Sequence, residues 1–286
     1  MESVKLIECP RDAMQGLKDF VPTLDKVKYL NALLGCGFDT LDFGSFVSSK
    51  AIPQMRDTAE VLNNLTTETQ TKLLAIVANE RGAEEACSFD RIDFLGYPFS
   101  VSEEFQRRNT NSSIEESLGR VQYIKDVADR SGKKLVLYLS MGFGNPYGEE
   151  WTPGLVLNWS NRLYNEFGIE ILAISDTIGA ANPTVVRELF SALIPSLPSV
   201  EFGAHLHTRK EHALDLVEAA WHAGCRRFDG AIGGIGGCPM AKDDLTGNMP
   251  TEIMLDWFNE QKIHSGVNLT KFEEARGIAS RILPVY

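Results

Sequence analysis

Eight short apolar runs recur along the 286 residues, and helical patterns fall between them. The runs are VKLIEC (4–9), FDTLDFG (38–44), KLLAIVA (72–78), RIDFLGY (91–97), KLVLYLS (134–140), IEILAIS (169–175), VEFGAHLH (200–207) and RFDGAIG (227–233). Several are rich in Val, Ile, Leu and Phe, as strands buried on both faces must be. Between them, 23–37 opens on Thr23 as a cap and stops at Gly37. Segment 113–132 opens on a capping box, Ser113 to Glu116, and closes at Gly132. Segment 183–194 has Pro183 in its first turn, and 210–224 ends on Gly224. Strand–helix alternation without a strand-only region means parallel strands joined by right-handed crossovers. Eight such units close a ring, so the expected fold is an α/β (β/α)8 TIM barrel. The expected domain is one catalytic unit, 1–286, with an extra C-terminal helix over 269–283 and a glycine-rich loop after strand eight. A doubly wound sheet would want a phosphate-binding glycine loop after its first strand. CPRDAMQG stands there instead.

A barrel puts its chemistry at the C-terminal ends of its strands. Arg11 and Asp12 follow strand one, Asp42 lies near the end of strand two, and Asp176 follows strand six. His205 and His207 end strand seven, and Cys238 and Asn248 lie beyond strand eight. Alternate residues on a strand share a face, so the HxH sets two imidazoles side by side. Asp12 can face them across a narrow mouth. A carboxylate, two imidazoles and an amide oxygen suit Mg2+ or Mn2+, whereas Zn2+ more often recruits thiolate. The plain alternatives are a turn-forming Asp12 and two half-buried histidines.

DGAIGGIGGCPMAK (229–242) holds five glycines between Gly230 and Gly237, with Cys238 next. Glycine loses the most backbone entropy on folding, so this density implies a tight turn, a movable flap or close approach to a ligand. Long loops at a barrel's upper rim are often lids, and a cysteine there can be delivered to a substrate. Cys9, Cys36, Cys87 and Cys225 fall in expected strands or helices and read as packing.

Composition narrows the partners. A net charge of −11 disfavours nucleic acid and anionic membranes. No apolar run approaches the roughly 18 residues of a membrane span. The five scattered cysteines and the start MESVKLIECP, without a signal-like h-region, point to a reducing, cytoplasmic setting.

ECPRDAMQ, DFGSFVSSKAIPQMRD, NSSIEES, SDTIGAANP, AHLHT, GGIGGCP, TGNMPTE and HSGVNL occur in that order across nearly the whole chain. Together they resemble the 3-hydroxy-3-methylglutaryl-CoA lyases, metal-dependent barrel enzymes of acyl-CoA metabolism. The resemblance implies that Asp12, His205, His207 and Asn248 hold the cation and that Arg11 contacts the thioester carbonyl. It makes Cys238 the catalytic thiol and gives Asp176 a part in organising the site. The implied reaction splits 3-hydroxy-3-methylglutaryl-CoA, or a close analogue, into acetyl-CoA and acetoacetate, as in leucine degradation. Asp42 or a histidine takes the hydroxyl proton, and Cys238 returns one to the acetyl carbanion.

Coenzyme A enters as part of the small-molecule substrate, with Arg107 and Arg108 as candidate phosphate contacts and Lys18 and Lys50 behind them. A homodimer or other homo-oligomer is expected. Three departures stand out: Ala13 for a glycine, Asp42 for a glutamate, and Thr208 for an aspartate after the second histidine. They leave the exact acyl group open, and Asp42 and Thr208 also allow a barrel that binds metal without turnover; the same site run in reverse would make a condensing acyltransferase or aldolase acting on a 2-oxo acid.

Overall fold

A computed structural model describes residues 2–237 and 246–283. Eight parallel strands close into a barrel in sequence order. They are β1 (Lys5–Glu8), β2 (Thr40–Ser45), β3 (Lys72–Ile76), β4 (Phe94–Ser100), β5 (Lys134–Ser140), β6 (Ile171–Ser175), β7 (Glu201–His205) and β8 (Arg227–Gly230). β8 lies between β7 and β1, with Lys5 opposite Arg227 and Glu8 opposite Gly230. The ring thus joins its first strand to its last.

The period-two pattern of the strands explains their burial. Leu74, Ile76, Phe94, Val136, Tyr138, Ile171 and Ala173 form one cluster that fills the barrel. Their neighbours Leu73, Ala75, Leu95, Leu135, Leu137 and Leu172 belong to the outer core with the helices. Alternation on strands buried from both sides supplies the two layers.

The helical punctuation holds with one correction. The capping box at Ser113 and Glu116 opens Ile114–Arg130, and Pro183 opens Pro183–Ser196. Gly224, at φ +98°, follows Lys210–His222. Thr23, however, does not cap its helix: Thr23–Leu34 is preceded by Pro22, and Thr23 Oγ1 donates to Asp57 at 2.9 Å. Strand boundaries also move, the eighth run ending early at Gly230. The fourth strand starts at Phe94, because Arg91 turns away to donate to the carbonyls of Leu62, Leu65 and Thr66. β7 ends at His205, and His207 belongs to a separate pairing at the rim.

After β8, Thr251–Glu260 completes the eighth unit, and Leu269–Ile282 is the extra helix. It packs on Thr23–Leu34, where Phe272 meets Phe38 edge-on at 6.0 Å. No helix among the described residues is long and apolar enough to cross a membrane.

Candidate metal centre and active site

Three rim elements converge over one side of the barrel mouth. The first is the short helix Pro10–Gln15, opened by a proline at its first turn. The second is the end of β7. The third is a two-residue antiparallel pairing of His207–Thr208 with Gly247–Asn248, in which Asn248 lies opposite His207. This pairing brings a residue from far along the chain beside the histidines.

Asp12, His205 and His207 each offer one ligand atom, and these atoms lie within 4.8 Å of one another. The imidazole centroids are 5.3 Å apart. Asn248 Nδ2 donates to Asp12 Oδ2 at 2.7 Å and to the Ile235 carbonyl at 2.9 Å, which fixes the amide over the cluster. Burial opposes ionisation of Asp12, but Arg11, the two imidazoles and the Asn248 amide together hold its carboxyl below the usual range. Burial, then the charge of His205, pushes His207 down to about 4. It is therefore a neutral imidazole at physiological pH, the form that ligates metals.

His207 Nε2 is buried with no hydrogen-bond partner among the described residues. Buried polar atoms are normally satisfied. An orphaned ring nitrogen facing a carboxylate and a second imidazole fits a cation. The mixed N/O donor set suits a hard or borderline divalent ion.

Asp229 was not singled out from the sequence. Its Oδ2 lies 3.1 Å from His205 Nδ1, and the register places the two residues side by side. This carboxylate fixes the ring so that Nε2 is the nitrogen left for a metal. Cys9 also lies near this pair. Burial, then Asp229, Asp42 and Asp12, push its thiol well up, so it stays protonated and is a poor ligand. Asp229→Asn is expected to weaken Mn2+ binding roughly 10–100-fold. Titration of free Mn2+ by electron paramagnetic resonance checks this.

Arg11 is the hub of the polar network. Its Nε donates to both Asp42 oxygens at 3.1 Å, and Nη2 donates to Asp42 Oδ2 at 2.6 Å. Nη1 donates to Asp12 Oδ1 at 3.1 Å and to Gln15 Oε1 at 2.8 Å. A guanidinium has five N–H groups, so one Nη2–H stays uncommitted among the described residues. Burial raises the Asp42 carboxyl to about 6 even with Arg11 beside it. Gln15 also escaped the sequence reading, although its i+3 and i+4 offsets from Asp12 and Arg11 would have revealed it.

Asp176 sits beside the site but serves its own loop. Its oxygens accept from the Ala180 and Ala181 N–H groups at 2.8 and 3.0 Å, and its own N–H donates to the His205 carbonyl. Arg107 and Arg108 are not drawn into the cluster. They lie on the rim helix Glu103–Thr110, with 62% and 40% of their side chains exposed, in i,i+4 pairs with Glu103 and Glu104. Such exposed pairs are worth about 0.3–0.5 kcal/mol and release easily to a stronger anion. Lys18 and Lys50 are exposed. Thr208 donates to the Arg209 carbonyl at 3.0 Å.

The glycine run has a steric reason. At Gly236, with φ +98°, a Cβ would stand 2.7 Å from Asn248 Nδ2 and 2.8 Å from the Asp12 carbonyl. The backbone itself forms a wall of the site there, and only glycine fits. Cys238 lies outside the described residues. A cavity of about 440 Å³ opens between Ala13, Leu17, Arg209, Gly234 and Asn248. Another, of about 830 Å³, borders His207, Thr208, Ile178 and His212.

The HMGL-like family model matches residues 4–278. The chain is 34% identical over 274 residues to the hydroxymethylglutaryl-CoA lyase YngG of Bacillus subtilis, covering 93% of this chain and 88% of that one. A solved HMG-CoA lyase from Brucella melitensis superposes with a TM-score of 0.91 at 30% identity, covering 99% of both chains. An HMG-CoA lyase from Acinetobacter baumannii, solved with coenzyme A and 3-methylmalate, superposes with a TM-score of 0.89 at 28% identity. It covers 98% of this chain and 91% of that one. Matched from residue 4 to residue 278 in sequence, and over almost its full length in three dimensions, the chain belongs to the HMGL-like family.

Proposed function

We propose that this protein is a divalent-metal-dependent carbon–carbon lyase that cleaves 3-hydroxy-3-methylglutaryl-CoA, or a close analogue, to acetyl-CoA and acetoacetate. The single observation that carries this reading is the convergence of Asp12, His205, His207 and Asn248 beside the Arg11–Asp42 pair. The curated relative and the two solved neighbours named above carry the lyase name. A solved neighbour binds coenzyme A with a small hydroxy acid.

Asp12, His205, His207 and Asn248 would hold Mg2+ or Mn2+, which supplies Lewis acidity toward a substrate hydroxyl. The remaining steps belong to the chain's own side chains. Were both imidazoles committed to the cation, Asp42 would take the hydroxyl proton, and a carboxyl raised by burial to about 6 suits a base working near neutrality. As the bond breaks, charge collects on the thioester oxygen. The uncommitted Nη2–H of Arg11 is a preorganised donor for it, and Asp42 and Gln15 hold the guanidinium still. Cys238 then gives the acetyl carbanion its proton. The glycine-walled rim keeps bulk water from doing so without control. Arg107 and Arg108 serve the coenzyme A phosphates by exchanging their glutamate partners. The unpaired thiols of Cys9, Cys36, Cys87 and Cys225 support a reducing, cytoplasmic setting.

The direct test is release of acetyl-CoA and acetoacetate from 3-hydroxy-3-methylglutaryl-CoA with and without Mg2+. Cys238→Ala in the same assay is expected to lose about a hundredfold in kcat, with circular dichroism unchanged. A Cys238→Ala protein of full rate would remove the thiol from the mechanism. Free thiol released from acetyl-CoA by a 2-oxo acid, with no lyase products, would favour a condensing transferase instead.

A further inference from the structure

One buried carboxyl takes no part in the chemistry above. Glu8, the last residue of β1, is fully buried. Its Oε1 accepts from the Ile232 N–H at 2.9 Å, and its Oε2 meets Thr251 Oγ1 at 2.5 Å. Ile232 stands where the glycine-rich run leaves β8, and Thr251 where the chain re-enters a helix. These two stems also join by backbone: Ala231 N–H to the Met249 carbonyl at 2.9 Å, and Thr251 N–H to the Ala231 carbonyl at 3.2 Å. Met249 N–H in turn donates to the carbonyl of Leu206, between the two histidines, at 3.0 Å. At Gly230 a Cβ would come within 2.8 Å of the Met249 carbonyl, so the stems approach as closely as the backbone allows. Glu252 adds a second carboxylate contact, to Gly233 N–H at 3.0 Å.

Glu8 differs from these contacts in what it connects. It ties β1, which leads straight into Arg11 and Asp12, to both stems, and the second stem carries Asn248. Burying a carboxyl here costs stability that two hydrogen bonds only partly offset. A strand end between apolar neighbours has no packing need for it.

We propose that Glu8 is a positioning residue that couples β1 to the two stems of the glycine-rich segment and so sets Asn248 against Asp12 and His207. The proposal rests on the cation-site reading above. Groups facing Glu8 are Tyr29 and Cys36 from the Thr23–Leu34 helix and the turn after it, Glu252 from the Thr251–Glu260 helix, and Cys9 on its own segment. Burial foremost, with Glu252 adding to it against the Thr251 and Ile232 contacts, raises the Glu8 carboxyl to about 8. It is therefore protonated near neutrality, and a glutamine can take its place.

The sign follows by linkage. Between an ordinary value near 4.5 in the unfolded chain and about 8 in the folded one, the folded state holds the extra proton. Stability contributed by protonated Glu8 is full below 4.5 and is lost as pH rises through 8. The melting temperature of the wild type is expected to fall relative to Glu8→Gln from pH 5 to pH 8.

The test compares wild type, Glu8→Gln, Glu8→Leu and Asp12→Asn for Mn2+ affinity by electron paramagnetic resonance, with circular dichroism for the fold. Glu8→Gln is expected to bind like wild type, and Glu8→Leu about tenfold or more weakly while folded. Equal binding by wild type and Glu8→Leu, with Asp12→Asn unable to bind, would overturn the proposal alone. A wild type that takes up no Mn2+ would overturn the cation site and this proposal with it. Should Glu8→Leu not fold, Thr251→Val removes one arm of the contact and is expected to weaken Mn2+ in the same direction. Unchanged affinity in that variant counts against the role of Glu8.

Discussion

Arg11→Met is expected to lose both rate and stability, and the two losses should separate by pH. The rate loss comes from the single Nη2–H held toward the reacting oxygen. Removing one preorganised donor of this kind typically costs about a hundredfold to a thousandfold in kcat. The stability loss comes from what Arg11 leaves behind. Asp42 is buried, with its side chain 1% exposed, and Arg11 makes three contacts to it. Breaking a buried pair by removing one partner costs roughly 3–5 kcal/mol. Without Arg11, the Asp42 carboxyl rises further above its present value of about 6. Protonation then relieves the penalty, so the variant should be nearest to wild type in acid and fall away as pH increases. Thermal melts at pH 5 and pH 8 measure this. A double variant, Arg11→Met with Asp42→Asn, should regain stability without regaining rate. A double variant as unstable as the single one would show that Asp42 was not the source.

Loss of the proposed cation ligands should cost more in rate and less in fold. His207→Ala and Asp12→Asn each remove one donor from the cluster. A bound cation is worth several kcal/mol of transition-state stabilisation, on the order of a thousandfold to ten-thousandfold in rate. His207 makes no hydrogen bond through Nε2 among the described residues, and its ring otherwise meets only the Thr177 backbone and the Asn248 side chain. The fold should tolerate His207→Ala in the absence of metal. The wild type should gain about 2.7 kcal/mol of stability at a Mn2+ concentration a hundred times its Kd. Neither variant should show that gain. Melting temperatures with and without Mn2+ decide the matter, and a His207→Ala protein that still gains stability would exclude this histidine from the site.

The barrel was legible because its signals are local. Strand runs of β-branched and aromatic residues, the Ser113–Glu116 capping box and the glycines closing helices each act within a few residues. Convergence of Asp12, His205, His207 and Asn248 was legible only once a barrel was assumed, since strand ends then share a rim. Asp229 and Glu8 were not legible for a different reason. Both lie inside strand runs where a carboxylate looks like a solvated position; the inter-strand register shows what Asp229 faces, and only the folded stems at Ile232 and Thr251 show what Glu8 faces. His205 and Asp229 are neighbours because β7 pairs with β8 at that rung. The pairing of His207–Thr208 with Gly247–Asn248 is two residues long, too short to show a period. Arg107 and Arg108 were read as a cationic pair, but the i−4 glutamates that neutralise them were equally visible in EEFQRRN.

The proposed ligand set straddles the joint where the ring closes. Asp12 follows β1, Asn248 lies well beyond the end of β8 at Gly230, and these two strands pair where the ring closes. A doubly charged ion held by these proposed ligands would act as a clasp across that joint. The ring itself closes with β8, but the two proposed ligands on either side of its joint meet only once the chain has run on to residue 248.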